Sequence, residues 1–448
     1  MTELGHIVIL GAGESGAGAA VLALKQGFEV FVSDGGTISE EFKKEFREKG
    51  ISFEEGKHSE TIILTAKEVI KSPGIPDSAA VVQTIKAKGI PIISEIEFAG
   101  RYTKAKMICI TGSNGKSTTT MLTYHILKNA NVKVGLAGNI GNSFARLVAT
   151  EEFDWYVLEI SSFMLDDMYK FKADIAVLLN ITPDHLDRYD YKMENYVASK
   201  LRIIQNQTPD DVFIYCADDQ ETIAGLKHQE IKAKAIPFSI QEEFKEGAFL
   251  KNNEINIYLN NQEPLIMSIT ELALQGKHNI YNSMASGIVA KVLELRNESM
   301  RESMGNFKNI EHRLEHAGRI SGIDFINDSK ATNINSTWYA LESMTTDVVL
   351  ILGGVDKGND YSMLTELVKS KVTAIVCLGK DNKRIHDAFE DHVDVIVNTT
   401  SAAEATQIAY HLAKKGDTVL LSPACASFDL FRNYEDRGNQ FKAAIREL

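Results

Sequence analysis

Short β-branched runs, each followed by a small-residue turn and then a helix-like stretch, recur along the whole 448-residue chain. That alternation restricts the chain to parallel α/β architecture, because doubly buried strands read as apolar runs and their crossovers read as helices. Three such stretches follow one another. In the first, strands are predicted near His6 to Leu10, Glu29 to Ser33, Glu68 to Ile70 and Pro91 to Ile93, with helices from Ser15 to Gln26 and Ser78 to Lys88. The second opens with Lys106 to Ile110 and continues through Trp155 to Ile160, Ile175 to Asn180 and Asp211 to Cys216. Its Asn-punctuated patch, Asn252 to Ser268, alternates Ile255, Ile257 and Leu259, which predicts a hairpin at a sheet edge. In the third, strands are expected at Asp324 to Ile326, Val348 to Leu352, Ala374 to Leu378, Val393 to Val397 and Thr418 to Leu421. Domains are expected over residues 1–95, 96–310 and 311–448, with short joints because no Pro-rich linker or low-complexity segment appears.

With 44% apolar residues each domain can build a core. The balance of 48 Lys+Arg against 61 Asp+Glu, net -13, argues against nucleic acid or an anionic membrane as partner, so an anionic ligand needs a local site. The longest apolar runs, such as Ile175 to Leu179, are far short of the ~20 residues of a bilayer span. Cys109, Cys216, Cys377 and Cys425 form no CxxC pair and read as reduced thiols. A soluble cytoplasmic protein is expected.

After the strand ending at Ile110 comes Thr111-Gly112-Ser113-Asn114-Gly115-Lys116-Ser117-Thr118, then a helix-like run to Lys128. Glycines let backbone N–H groups turn inward around phosphate oxygens, a lysine neutralises charge, and a hydroxyl can hold Mg2+. The string reads as a nucleoside triphosphate cradle, although two residues rather than four separate Gly112 from Gly115. Glu159 and Asp184-His185 follow the next two strands, at the carboxyl ends where open α/β sheets bind ligands. They are candidate metal ligands.

The first stretch carries Gly11-Ala12-Gly13-Glu14-Ser15-Gly16 between strand and helix, with Asp34 ending the next strand, which matches a dinucleotide fingerprint. NAD is one candidate ligand and any nucleotide diphosphate another. A second turn, Ser72-Pro73-Gly74-Ile75, belongs to the same sheet. In the third stretch, the turns Asn327 to Asn333, Gly353 to Gly358 and Ser422 to Asp429 end three strands and line one crevice if the sheet is parallel, suiting a small carboxylate-bearing substrate.

Taken together these strings resemble the Mur ligase family over essentially the whole length: ITGSNGKST, LEISSF, NITPDHLDRY, GKHNIYN, EHRLE, INDSKATN and SPACASFDLFRNYEDRGNQF. INDSKATN and SPACAS point to the branch that adds D-glutamate. The resemblance implies three domains: a Rossmann-like N-terminal domain, a central P-loop-type ATP-binding α/β domain and a C-terminal Rossmann-like α/β domain. It implies ATP and Mg2+ as cofactors, with Gly112, Asn114, Gly115, Lys116, Ser117 and Thr118 on the phosphates and one metal, Glu159 and His185 placing metals, and Asn279, Arg313 and Asp328 on the nucleotide. Lys200, fifteen positions after His185, matches a lysine carbamylated in the family, so that with Ser117, Glu159 and His185 it is implied as a metal ligand; from the residues alone it reads as a solvated helix lysine. Lys116, His185 and Lys200 are thus the implied catalytic residues.

For the substrate UDP-N-acetylmuramoyl-L-alanine the resemblance implies Ser15, Gly16, Asp34, Gly35, Gly74 and Asn139, and for D-glutamate Lys330, Thr332, Lys357, Ser427 and Phe428, with Tyr434 nearby. Three departures stand out. Asp34-Gly35-Gly36 replaces a common Asp-Thr-Arg, removing a cationic contact on the uracil side; Met164 replaces a glutamine; and the GGVDKG turn shifts the acidic neighbour of Lys357. The implied reaction proceeds through an acyl phosphate in a monomer with a hinge near Ile310 to Arg313. Competing readings are another Mur branch or a folylpolyglutamate synthetase, an NAD-dependent oxidoreductase, and a nucleotide-gated binding module without turnover.

Overall fold

A computed structural model describes residues 5–259, 262–308, 311–356 and 358–448. Three sheets follow in chain order. The first holds β1 (His6–Leu10), β2 (Glu29–Asp34), β3 (Ser52–Glu55), β4 (Glu68–Lys71) and β5 (Ile92–Ile93), parallel in the order β3-β2-β1-β4-β5. Along β1, Ile7 and Ile9 enter one core while Val8 and Leu10 enter another, so the strand is buried on both faces.

The second sheet holds β6 (Lys106–Thr111), β7 (Val134–Gly138), β8 (Trp155–Glu159), β9 (Ile175–Leu178), β10 (Val212–Cys216), β11 (Lys234–Ser239), β12 (Gly247–Lys251), β13 (Glu254–Tyr258) and β14 (Leu265–Ser268), in the order β14-β13-β12-β11-β10-β9-β6-β8-β7. Its last three strands are the antiparallel edge that the Asn252–Ser268 patch predicts. The third holds β15 (Glu315–Ile320), β16 (Ile323–Asn327), β17 (Val348–Leu352), β18 (Val372–Leu378), β19 (Ile396–Thr399) and β20 (Thr418–Leu421), in the order β15-β16-β20-β17-β18-β19, parallel apart from β15.

The chain divides into two compact units, residues 1–275 with 279–307, and residues 276–278 with 308–448. One apolar core runs through the first and second sheets, from Ile9 and Phe98 to Phe144 and Leu158, which makes them a single unit. Helix Glu14–Lys25 packs so closely on helix Phe144–Thr150 that a Cβ on Gly18 would collide with Ser143 Oγ. Two carboxylates fasten the same joint. Glu95 accepts from Ser143 Oγ at 2.7 Å and Ala145 N at 2.5 Å, and Glu97 Oε2 accepts from the backbone of Tyr169, Lys170 and Phe171 at 2.8–3.0 Å.

One strand expectation shifts. The strand expected at Val393 to Val397 is Ile396–Thr399, because Val393 N still bonds to Phe389 O at the end of the preceding helix. The strands β3 and β11 lack a sequence signal; Pro237 interrupts β11 just before its pairing with β12 begins at Phe238. Ile310, in the expected hinge, lies outside the described residues. Among the described residues no helix is long and apolar enough to cross a membrane.

Candidate functional site

The strand β6 delivers Gly112 to Ser117 to the sheet's carboxyl end, and helix Lys116–Asn129 starts there with Gly115 as N-cap at φ +82°, a left-handed conformation that favours glycine. A side chain at Gly115 would also run into Asn282 Oδ1. The loop is held open by its neighbours: Asn114 N donates to Asn180 Oδ1 at 2.8 Å, and Ser113 Oγ donates to Thr182 O at 2.8 Å. Lys116 Nζ folds back onto the carbonyls of Gly112 and Ser113, both at 2.8 Å. Ser117 and Thr118 are buried in the first helical turn.

Beside this loop, a cavity of about 290 Å³ brings together Lys116, Asn139, Phe163, His185 and Lys200 with Gly74 from the first sheet. Lys200 overturns the solvated-lysine expectation. Helix Met193–Leu201 buries it to 1% exposure, its Nζ donates to Gly112 O at 2.8 Å and lies 4.7 Å over the Tyr196 ring. Burial, and then the nearby Lys116 charge, pull its pKa well below the ordinary lysine value, so the amine is held toward its neutral form.

Glu159, at the end of β8, is 1% exposed; Oε1 accepts from Asn139 Nδ2 at 2.8 Å, while Oε2 is buried with no hydrogen-bond partner. An orphaned carboxylate oxygen at this position fits a cation. Among the described residues no three His, Cys, Asp or Glu side chains converge as a metal cluster. His185 has φ +52°, with its ring 5.1 Å from that of Phe163. Asn279, in helix Lys277–Val292, donates to Gln275 O at 2.8 Å and accepts from Asn282 Nδ2 at 3.0 Å.

At the first sheet Gly16 approaches the Gly11 carbonyl so closely that a Cβ would collide with it, and Ser15 Oγ is buried without a partner. Asp34 uses both carboxylate oxygens on backbone, accepting from Ala12 N and Gly36 N at 2.7 Å.

In the second unit β16, β20 and β17 are neighbours and parallel, so the three polar turns do lie side by side. Asp328 N donates to Leu421 O at 2.8 Å and Val355 N to Ala426 O at 2.8 Å. Asp328 accepts from Ser422 Oγ at 2.8 Å; burial pushes its carboxyl up to about 7, against the opposing pull of the Arg313 charge. Lys330 Nζ lies 5.3 Å over the Tyr434 ring, Thr332 is half-buried, Ser427 is buried and Phe428 is 74% exposed. Lys357 lies outside the described residues. Sequence reasoning missed Arg437: its buried guanidinium donates to Ser329 O at 2.8 Å and Cys425 O at 3.2 Å, tying two of the turns together. Its one sequence signal is a charged residue amid a helix that otherwise turns an apolar face to β16.

Comparison with known proteins covers the same three regions. The Mur ligase MurD-like N-terminal domain matches residues 5–94, the Mur ligase middle domain residues 110–290, and the Mur ligase glutamate ligase domain residues 312–425. A UDP-N-acetylmuramoylalanine--D-glutamate ligase of Bacteroides thetaiotaomicron is 56% identical over 447 residues, 99% of this chain and 100% of that protein. One of the same name from Christiangramia forsetii is 54% identical over 442 residues, 99% of each. Among solved structures, UDP-N-acetylmuramate-alanine ligase of Thermotoga maritima superposes with a TM-score of 0.63 at 18% identity over 99% of each chain, a likeness of fold alone. Lys116 of the glycine-rich loop and the buried Lys200 around one cavity, with the half-orphaned Glu159 carboxylate bonded to Asn139 of its lining, sit on a chain alike from end to end to proteins of one name, and the chain belongs to the Mur ligase family.

Proposed function

We propose that the protein is an ATP-dependent ligase that joins D-glutamate to UDP-N-acetylmuramoyl-L-alanine and releases ADP and phosphate. The observation that carries this reading is the cavity where Lys116, His185, Lys200 and Asn139 meet Gly74 of the nucleotide-type first sheet. It suits a nucleotide-linked acid whose carboxylate end reaches the phosphate loop.

A carboxylate is a poor electrophile, so the terminal alanine carboxylate attacks the γ-phosphorus of ATP, and ADP leaves. The amine of D-glutamate then attacks the acyl carbon, and phosphate departs. Lys116 swings from the loop carbonyls to the transferring phosphoryl group and offsets its charge, while the Gly112–Thr118 backbone orients the triphosphate. Asn139 and His185 hold the acceptor carboxylate. Ser117, Glu159 and His185 would hold Mg2+, which supplies charge neutralisation on the phosphates. Neutral Lys200 is the form that adds CO2, losing a proton, and the carbamate places an anion beside Lys116. Asn279, Arg313 and Asp328 take the rest of the nucleotide.

Uridine diphosphate lies on Ser15, Gly16, Asp34, Gly35 and Gly74; D-glutamate lies on Lys330, Thr332, Lys357, Ser427 and Phe428. On this reading domains 1–95, 96–310 and 311–448 take the nucleotide-linked acid, ATP and the amino acid, and the enzyme works in the cytoplasm as a monomer. Mass spectrometry after incubation with ATP, Mg2+, UDP-N-acetylmuramoyl-L-alanine and either enantiomer of glutamate tests it. A product is expected with D-glutamate only; product with neither enantiomer contradicts it.

A further inference from the structure

Asp34, Gly35 and Gly36 close β2, and in a Rossmann-type sheet this strand end meets the nucleoside of the ligand. No cationic side chain is supplied by those three residues. His58 stands there instead. It follows β3, the strand paired with β2, and a Cβ built on Gly35 would lie 3.1 Å from its Nε2. The backbone of Gly35 is not left-handed, so a side chain here would crowd the imidazole rather than strain the local φ.

The ring's proton is placed by its neighbours. Ser33 Oγ lies 2.8 Å from Glu54 Oε1 and 2.8 Å from His58 Nδ1. Burial opposes ionisation of Glu54, but hydrogen bonds from Ser59 and Ser33 outweigh it and hold the carboxyl below its ordinary value. An ionised carboxylate only accepts, so the one hydroxyl hydrogen of Ser33 goes to Glu54. His58 Nδ1–H is therefore the donor to Ser33 Oγ, and Nε2 is the ring nitrogen that faces Gly35.

We propose that His58 reads the base of the nucleoside diphosphate, with Nε2 accepting from a ring N–H. This rests on the reading of the first sheet as a uridine diphosphate site. Uracil offers N3–H between two carbonyls, whereas cytosine has a bare acceptor at N3. Against cytosine two acceptors face each other and both lose their partner, a penalty that discriminates more strongly than a missing contact.

Isothermal titration of UDP and of CDP into the full-length protein tests the proposal, with saturating ADP present to fill the loop at Lys116. Wild type is expected to bind UDP at least tenfold more tightly than CDP. His58→Ala is expected to bring the two within about threefold and to raise KM for the UDP-linked substrate about tenfold, with less than a twofold change in kcat. Gly35→Ala, which displaces the ring without removing it, should likewise erode the preference and covers the case in which His58→Ala fails to fold. Retention of the full UDP preference in both variants overturns the role of His58 and leaves the diphosphate site standing. Wild type that binds UDP and CDP equally does the same. Wild type that binds neither overturns the diphosphate reading and this proposal with it.

Discussion

Lys116 and Lys200 donate to the same atom: each Nζ lies 2.8 Å from the carbonyl oxygen of Gly112. Two ammonium ions sharing one acceptor in a buried site repel strongly, and burial adds to the cost of the second charge. Lys200 is therefore expected to work as the carbamate. Enzyme stripped of CO2 should lose most of its turnover and regain it with bicarbonate, and Lys200→Ala should lose at least ~100-fold with partial recovery in acetate. Indifference of the wild type to bicarbonate would refute this. Lys116→Ala should lose about 1,000-fold in kcat with an unchanged thermal melt.

The unpartnered Oε2 of Glu159 gives a separate expectation. Glu159→Gln removes a buried charge, so the free protein should be as stable as wild type or more so. Its Mg2+ titration of ATP turnover should shift about tenfold upward. A destabilised variant with an unshifted Mg2+ curve would show that the carboxylate is structural.

Arg188 connects the first sheet to His185. Its guanidinium lies 4.4 Å over the Phe163 ring, which makes a T-shaped contact with His185, and it donates to Ile75 O at 3.4 Å in the turn that carries Gly74. Arg188→Ala is expected to lower kcat/KM for the UDP-linked substrate about tenfold, near the ~1 kcal/mol of a partly exposed cation–π pair plus a hydrogen bond. Arg188→Lys should recover little, since an ammonium has no planar face to stack. Full recovery by lysine would mean that charge alone matters.

Glu95 makes the joint between the first two sheets sensitive to pH. Burial pushes its carboxyl up from 4.5 to about 7 in spite of the bonds from Ala145 and Ser143. Because the folded pKa is the higher one, the stability this group contributes is complete below about 4.5 and is lost as the pH rises through about 7. Glu95→Gln mimics the protonated form, so its melting temperature relative to wild type should rise between pH 5 and pH 8, by an amount of order 2 kcal/mol in stability. A pH-independent difference would show that Glu95 stays ionised in the fold.

Much of this site was legible in the sequence because its residues sit at strand ends, where periodicity and turn chemistry coincide. Gly112, Gly115 and Lys116 declare themselves by spacing, and Glu159 and His185 by following apolar runs. Lys200 does not: helix Met193–Leu201 mixes polar and apolar residues, and only its packing beneath the phosphate loop buries that side chain. Arg437, Glu95 and His58 were silent for the same reason, since their partners Cys425, Ser143 and Ser33 lie 12, 48 and 25 positions away. The strand β15 was hidden because an edge strand needs no apolar run, and Glu-His-Ala-Gly-Arg-Ile has none.

The transfer of a phosphoryl group to the acceptor acid is tested most directly by oxygen tracing. UDP-N-acetylmuramoyl-L-alanine labelled with ¹⁸O in its terminal carboxylate is turned over with unlabelled ATP, water and D-glutamate, and the phosphate released is weighed by mass spectrometry. One ¹⁸O atom in each phosphate is the expected result, since the carboxylate oxygen that attacks phosphorus leaves with it. Phosphate without label, with both ¹⁸O atoms still on the substrate-derived fragment, would contradict the account.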